Sequence, residues 1–336
     1  MSLKAIAQEL GISITTVSRG LNGYSDVAEH TRQLIMAAAE ARGYQPNASA
    51  RRLKTGRTDA VGLVYPMTAS ALYDPNLLEI VGDITGALAN FNIDVLMVSD
   101  RGHDGQFPYI RLIESGRVDA LIVFDTYEDD PRINYLAAKQ HLFLACGRSN
   151  LQQPYAWFDF DCESGSREAV NYLAEHGHQQ IAYLGGKEDQ AFVNQRKQGF
   201  ILQMRARDSD IPAEYLIEAP CNRKGGYAAM QQLLQVTPRP TAVLIDHSML
   251  GDGALTATID AGLEPGKDIS FIIYDGLPPD TLLKQTVTAV QLSTSEKKSQ
   301  QIADMVIALI NGESAEKLQV LWQPTITPGN TVARLN

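Results

Sequence analysis

L-K-A-I-A-Q-E-L-G-I-S-I-T-T-V-S-R-G-L-N-G, residues 3–23, sets Leu3, Ile6, Ala7 and Leu10 on one helical face and then breaks at Gly11. The spacing predicts a helix closed by a glycine in the left-handed conformation. Ser13 then stands where a side-chain oxygen caps a second helix, with Val17 and Leu21 turned inward. A third helix is expected over 28–41, burying Leu34, Ile35 and Ala38 and ending at Gly43. Two short helices joined by a tight glycine turn and braced by a third make a helix-turn-helix, whose second helix enters a DNA major groove. A plain three-helix bundle shares that pattern, so the surrounding chain has to decide.

Charge is spread unevenly around this segment. The formal net charge over 336 residues is −10, which for the whole molecule argues against a nucleic-acid partner. Residues 1–58, however, hold eight Lys and Arg against four Asp and Glu, a balance of +4 that leaves −14 on the remainder. A basic head on an acidic body sends only the head to phosphate. Within it, Ile14 and Thr15 open the second helix and are placed to read base edges, Ile14 against a thymine methyl. Arg19 suits guanine or phosphate, while Thr16, Ser18, Asn22 and Thr31 suit phosphates.

Next, Gln45-Pro46-Asn47 forms a turn with Asn47 as cap, and 48–56 spells a two-turn helix carrying Arg51, Arg52 and Lys54. That is shorter than the ~12–15 residues an isolated helix needs. Docking on DNA through Asn47, Arg51 and Lys54 would order it. Leu53 has no core to enter and suits a wedge between minor-groove base pairs. The other reading of this stretch is a plain linker.

The opening run, Thr31-Arg32 and G-Y-Q-P-N-A-S-A-R-R-L-K-T-G-R-T (43–58) together resemble the LacI/GalR family of bacterial repressors, over the whole head and without a gap. The resemblance implies sequence-specific binding of a pseudo-palindromic double-stranded operator by a homodimer. Two positions depart from the family pattern. Ala5 stands where an acid often follows the lysine, and Gly20 where Val or Ala is usual. Gly20 costs helix stability and is expected to loosen the end of the reading helix.

After Asp59 short apolar runs alternate with amphipathic stretches. One series comprises 60–64, 95–98, 120–124 and 142–145; a second comprises 181–184, 216–217, 242–245 and 269–274. Such alternation implies parallel sheets with helices on both faces. Two series imply two lobes, changing near Asp159, with a ligand cleft beyond the carboxyl ends of the strands. The fold class is therefore α/β: a helix-turn-helix head (1–45), a hinge helix or linker (46–58), and a two-lobed body (59–336). Lobe 1 is expected at about 59–158 and 291–321, lobe 2 at about 159–290 and 322–336.

The stretches G-H-Q-Q-I-A-Y-L-G-G (177–186), R-K-Q-G-F (196–200), P-T-A-V-L-I-D (240–246) and Y-D-G (274–276) resemble the periplasmic-binding-protein-like effector domain of the same family. By that resemblance Arg196 and Asp275 hold the effector, a donor and an acceptor suited to vicinal sugar hydroxyls. The alternative for each is an ion pair between lobes. Asp100, Arg101 and Arg148 follow first-lobe strands near the cleft mouth, and Trp157, Phe158 and Phe124 offer an aromatic face for a sugar ring or a place in the core. His247 replaces the family's asparagine and still offers a donor. Residues 77–88 resemble the helix that pairs protomers, and no leucine heptad follows Pro328, so a dimer is expected. G-R-S (147–149), P-Y-A-W-F-D-F-D (154–161) and the L-N-G-Y-S-D-V head resemble members that control α-glucoside use, which makes a sugar the favoured effector over a purine or sugar phosphate.

Other classes find less support. The N-terminus has no apolar signal core and no run reaches the roughly 18 apolar residues that span a bilayer, so a cytoplasmic protein with no membrane partner is expected and an exported solute-binding protein is disfavoured. Cys146, Cys162 and Cys221 are isolated, without the spacing of a zinc site or a disulfide framework. Neighbours in Asp246-His247-Ser248 point different ways and cannot form a hydrolytic triad. His176 and His178 flank a helix-ending glycine, and Asp159 with Asp161 makes a poor acid pair. Neither an enzyme, a metal nor a cofactor is expected.

Overall fold

In the computed structural model the chain divides into two units, Met1–Thr58 and Asp59–Asn336. Residues 3–21, 24, 26–44, 56–66, 75–101, 107–187 and 189–335 are described.

In the first unit, α1 (Leu3–Leu10), α2 (Ile14–Leu21) and α3 (Glu29–Ala41) close on Ile6, Ala7, Val17, Val27, Ile35, Ala38 and Ala39. Gly11 takes φ +64° as the turn requires, and Ser13 Oγ accepts the Thr16 amide at 3.0 Å to cap α2. One expectation fails: Leu34 is 47% exposed, and Ala39 takes its place in the core. Adjacent residues on a helix lie about 100° apart, so Ile35 fixes the phase and Leu34 turns outward. Gly20 also has a packing role that its propensity hides. A Cβ there would sit 2.5 Å from Ile35 Cδ1, so its absence makes room for the largest side chain of α3's buried face.

The second unit is doubly wound. β1 (Ala60–Tyr65), β2 (Asp94–Ser99), β3 (Ala120–Val123), β4 (Phe143–Cys146), β5 (Ala156–Phe160) and β11 (Gln319–Trp322) form one parallel sheet, ordered β11-β5-β4-β3-β1-β2. β6 (Ile181–Gly186), β7 (Leu216–Ala219), β8 (Ala242–Ile245), β9 (Ser270–Tyr274), β10 (Thr288–Gln291) and β12 (Thr325–Thr327) form the second, ordered β12-β10-β9-β8-β6-β7, in which only the β10–β12 pair is antiparallel. Central strands such as β3 and β8 are buried along their whole length, which is why they read as unbroken apolar runs.

Helices cover both faces of each sheet. On the first, α4 (Pro75–Ala89) and α11 (Ser295–Ile310) lie opposite α5 (Pro108–Glu114) and α6 (Pro131–Ala138). On the second, α7 (Cys162–Glu175) and α8 (Ala191–Ala206) lie opposite α9 (Arg223–Gln235) and α10 (Ser248–Asp260). The chain crosses between sheets after Phe160, after Gln291 and between Trp322 and Thr325. β5 thus lies wholly in the first lobe, two residues beyond the expected boundary. α9 and α10 cross with their backbones in contact: a Cβ on Gly226 would sit 2.0 Å from Leu250 O, and one on Gly253 2.0 Å from Arg223 O.

His178 anchors the C-terminal tail to this lobe. It is 2% exposed, with Nδ1 3.0 Å from Thr241 Oγ1 and Nε2 3.0 Å from the Ala333 carbonyl. Burial lowers its pKa, against a smaller opposing effect of the Ala333 hydrogen bond. A lowered folded pKa means stability that is complete above the unfolded value of about 6.5 and declines as pH falls through the folded one. Thermal melts should therefore show a loss between pH 7 and 5.5 that His178→Gln abolishes. An unchanged slope in that variant removes His178 as its source.

Candidate functional site: the cleft between the lobes

The two sheets present their carboxyl ends to each other, and the lobes meet along one side. Ala191 N donates to Thr126 O at 2.8 Å, Tyr127 bridges to Gln190, and Asn194 Nδ2 donates to Glu128 Oε1 at 3.3 Å. Elsewhere Asn76 Nδ2 donates to Ser248 Oγ at 3.0 Å. Phe192, on the first turn of α8, packs against the core of the opposite lobe.

Arg196 lies one turn further along α8 and is 5% exposed. Its guanidinium is sandwiched between the Phe192 ring at 4.8 Å and the Tyr274 ring at 4.0 Å, and Nη1 donates to the Asp246 carbonyl. Burial works against its charge, but Cys162, Tyr274, Asp275 and Asp246 more than offset this and hold its pKa above the usual arginine value. Nε is buried with no hydrogen-bond partner among the described residues. The same holds for Asp275 Oδ1, on a residue held at φ +56° just past β9. Asp246 is 1% exposed and accepts from Tyr183 Oη and Gly186 N, both at 3.0 Å. Burial raises its pKa, and Arg196 opposes the rise. His247 caps α10, its Nδ1 accepting the Met249 amide at 3.2 Å. In the neutral ring that assignment leaves the proton on Nε2, a donor.

Across the cleft, Asp100 sits at the end of β2 with Oδ2 3.5 Å from Arg132 Nη1 and Oδ1 buried without a partner among the described residues. Burial raises its pKa, and Arg132 opposes. Arg101 is exposed. Arg148 is engaged within its own lobe, with Nε 2.7 Å from Asp159 Oδ2 and its guanidinium 5.7 Å from the Trp157 ring centroid.

The G-R-S turn holds the neighbouring loop. Gly147, at φ +115°, admits Thr126 Oγ1 to within 2.1 Å of where a Cβ would be, and Ser149 Oγ donates to Glu128 O and accepts from Asp130 N. Phe124 lies against the lobe-1 core, 6.3 Å from Tyr65.

In the head, Ile14 and Thr15 are exposed at the start of α2, while Ser18 and Thr31 are half-buried. Thr16 Oγ1 lies 2.8 Å from Ser13 Oγ. Arg19 pairs with Asp26 at 2.5 Å and lies over Tyr24. Asn22, Asn47, Arg51, Leu53 and Lys54 lie outside the described residues.

Residues 2–47 match the model of bacterial regulatory proteins of the lacI family, and 58–326 match that of the periplasmic binding proteins and sugar binding domain of the LacI family. The chain belongs to the LacI family. This LacI-family regulator is 44% identical over 333 residues to the HTH-type transcriptional regulator RafR of Escherichia coli, covering 99% of this chain and 98% of that one. It is 31% identical to the HTH-type transcriptional regulator AglR of Rhizobium meliloti, covering 96% and 92%. Among solved structures it matches a lac repressor dimer bound to operator and the anti-inducer ONPF, at 25% identity and TM-score 0.83, covering 99% of each chain. It is thus a DNA-binding transcription regulator with a sugar-binding domain.

One expectation about the regulator's cleft needs correction. Trp157 and Phe158 point to opposite faces of β5, so with Phe124 they form no single aromatic wall; Phe158 is 3% exposed in the core, edge-on to Phe160 and Trp322. Arg148 and Asp159 pair within lobe 1. Asp161 caps α7 through the Ser164 amide, and Ser248 Oγ bonds Asn76 while His247 bonds Met249, so no acid pair or triad forms there. Gln190, Gln195 and Ser295, each with a buried side-chain oxygen lacking a partner among the described residues, were not singled out from sequence. Their residue types carry no signal; what marks them is place, Gln190 at the N-cap position of α8, Gln195 beside Arg196 and Ser295 opening α11. Among the described residues no His, Cys, Asp or Glu group is arranged to hold a metal, and no helix is long and apolar enough to cross a membrane.

Proposed function

We propose that this regulator is a cytoplasmic homodimer without enzymatic activity that represses a carbohydrate-use operon and leaves its pseudo-palindromic operator when a neutral sugar, an α-glucoside, enters the cleft. In this reading residues 1–45 read the operator, 46–58 form the hinge helix, and 59–336 bind sugar and pair protomers. Arg196, Asp275, His247 and Asp100 supply the polar contacts, with Arg101, Phe124, Arg148 and Trp157 at the periphery. Ile14, Thr15, Thr16, Ser18, Arg19, Asn22 and Thr31 meet DNA in the major groove, and Asn47, Arg51, Leu53 and Lys54 in the minor groove.

The observation that carries the sugar reading is the set of unpartnered polar atoms at the cleft. Asp100 Oδ1 and Asp275 Oδ1 on opposite lobes, and Arg196 Nε near Asp275, are buried with no hydrogen-bond partner among the described residues. Buried polar groups are almost always paired, so a ligand with hydroxyl groups completes them. Two carboxylates repel a phosphate and accept hydroxyls, which favours a neutral sugar over a sugar phosphate.

A thermal-shift screen with maltose, sucrose, trehalose, glucose 6-phosphate and adenine tests this. Saturation at a hundred times Kd adds about 2.7 kcal/mol of stability, so the binding sugar should raise the melting temperature and release operator in a mobility-shift titration. A shift only with the phosphate or the purine overturns the neutral-sugar assignment. Leu53→Ala should weaken operator binding at least about tenfold, some 1.4 kcal/mol, and leave sugar binding intact. Unchanged operator affinity removes the wedge.

A further inference from the structure

Lobe 1 holds a buried charge cluster of which sugar binding, as described, uses only Asp100. Arg132, in the first turn of α6, is 3% exposed, and Asp130 is fully buried. Arg132 Nε and Nη2 donate to Asp130 Oδ1 at 3.0 Å and Oδ2 at 2.7 Å, and Nη2 also donates to the Asp125 carbonyl at 2.8 Å. The Tyr127 ring lies 5.3 Å from the guanidinium carbon. Nη1 reaches Asp100 Oδ2 at 3.5 Å. One guanidinium therefore ties the ends of β2 and β3 to the start of α6. Two carboxylates and one cation are costly to bury, and apolar groups of similar volume would serve stability as well. What the cluster adds is position.

Both ends of the cluster border the cleft. At one end, Asp100 keeps its unpartnered Oδ1. At the other, Asp130 Oδ2 accepts the Tyr127 amide at 3.2 Å, and the 125–130 loop is the part of lobe 1 that carries the Thr126–Ala191, Tyr127–Gln190 and Glu128–Asn194 contacts to lobe 2.

We propose that Arg132 is a positioning residue that couples effector binding at Asp100 to the seating of the 125–130 loop on the start of α8. The inference rests on the cleft being the sugar site. A hydroxyl donated to Asp100 Oδ1 fixes that carboxylate, Oδ2 then holds Nη1, and a guanidinium pinned at both ends pins Asp125 and Asp130. A ligand shifts a conformational equilibrium only through contacts that differ between its states, and this chain of bonds makes the Asp100 contact depend on lobe closure. Lysine is a point charge without the planar fork, so it serves Asp130 or Asp100 but not both.

Amide hydrogen exchange on the full-length protein tests the coupling. Without ligand, the Ala191 amide in Arg132→Lys should exchange about tenfold faster than in the wild type, while Leu144 and Val243 in the two sheets keep wild-type protection. Arg132 does not touch Ala191, so loss of local packing alone leaves that amide unmoved. Maltose at saturation should slow Ala191 in the wild type and not in the variant. Should Arg132→Lys not fold, Asp130→Asn, which keeps an oxygen for the helix cap, is expected to give the same acceleration. Equal exchange at Ala191 in the wild type and the folded variant overturns the coupling, whether or not maltose binds. A wild type that does not bind maltose overturns the α-glucoside assignment instead, and the ligand-free comparison still decides the role of Arg132.

Discussion

Gly253→Ala should lower the melting temperature of the sugar-binding unit by about 6–12 °C, a large loss for a single added methyl. The new Cβ would lie 2.0 Å from Arg223 O and 2.8 Å from Tyr227 N, both backbone atoms of the neighbouring helix. A flexible side chain can swing away from such a contact, but two helix backbones can only move apart. α10 is buried along most of its length, so moving it disturbs the packing on β8 and β9 as well. Overpacking of this kind costs about 3 kcal/mol, and each kcal/mol is worth about 2–4 °C in a unit of this size. Scanning calorimetry within 2 °C of the wild type would mean that the crossing opens at almost no cost.

Arg196→Ala should abolish sugar-induced release while the protein still binds operator. The guanidinium lies between the Phe192 and Tyr274 rings, and its loss takes a positive charge away from Asp246 and Asp275. Sugar affinity should fall at least about a hundredfold, near 2.7 kcal/mol, and stability by about 3–5 kcal/mol, as for a broken buried pair. The stability loss should depend on pH. Without Arg196, the strongest effect opposing burial at Asp246 is lost and its pKa rises further, the hydrogen bonds from Gly186 and Tyr183 and the charge of His247 still working the other way. A carboxylate with a raised folded pKa contributes stability at low pH that is lost as pH rises. The variant's deficit should therefore shrink as pH falls toward the carboxylate range. Calorimetric titration showing wild-type sugar affinity would remove Arg196 from the site.

The parts of this fold legible in the sequence were the unbroken apolar runs, whether fully buried like β3 and β8 or partly exposed like β2. β3 and β8 read as strands because every residue is apolar and buried. β5 was passed over because Asp159 interrupts A-W-F-D-F, and an acid signals exposure unless its partner is known. Here the partner is Arg148, 11 residues away and across a turn. β10, β11 and β12 were missed for another reason: polar residues bound them, Thr288 and Gln291, Gln319, and Thr325 and Thr327, so each carries little apolar pattern.

The cleft divides in the same way. Arg196 and Asp275 were found through motifs that surround them, whereas Asp-Asp-Pro-Arg at 129–132 announces a helix start and nothing more. The role proposed for Arg132 depends on Asp100, 32 residues upstream, and on a loop contact with the other lobe. Neither is a property of the local chain.

The strands that complete the two sheets, β11 and β12, are separated by only Gln323 and Pro324. A ribosome must therefore translate past Leu318 before either lobe can close its edge, while the DNA-reading head has long since emerged. A stop codon anywhere before β11 strips a strand from both lobes together. Only a stop in the two-residue link after β11 would spare the sheet of one lobe, and a gene fusion that borrows a single lobe must carry its final strand along as a separate piece.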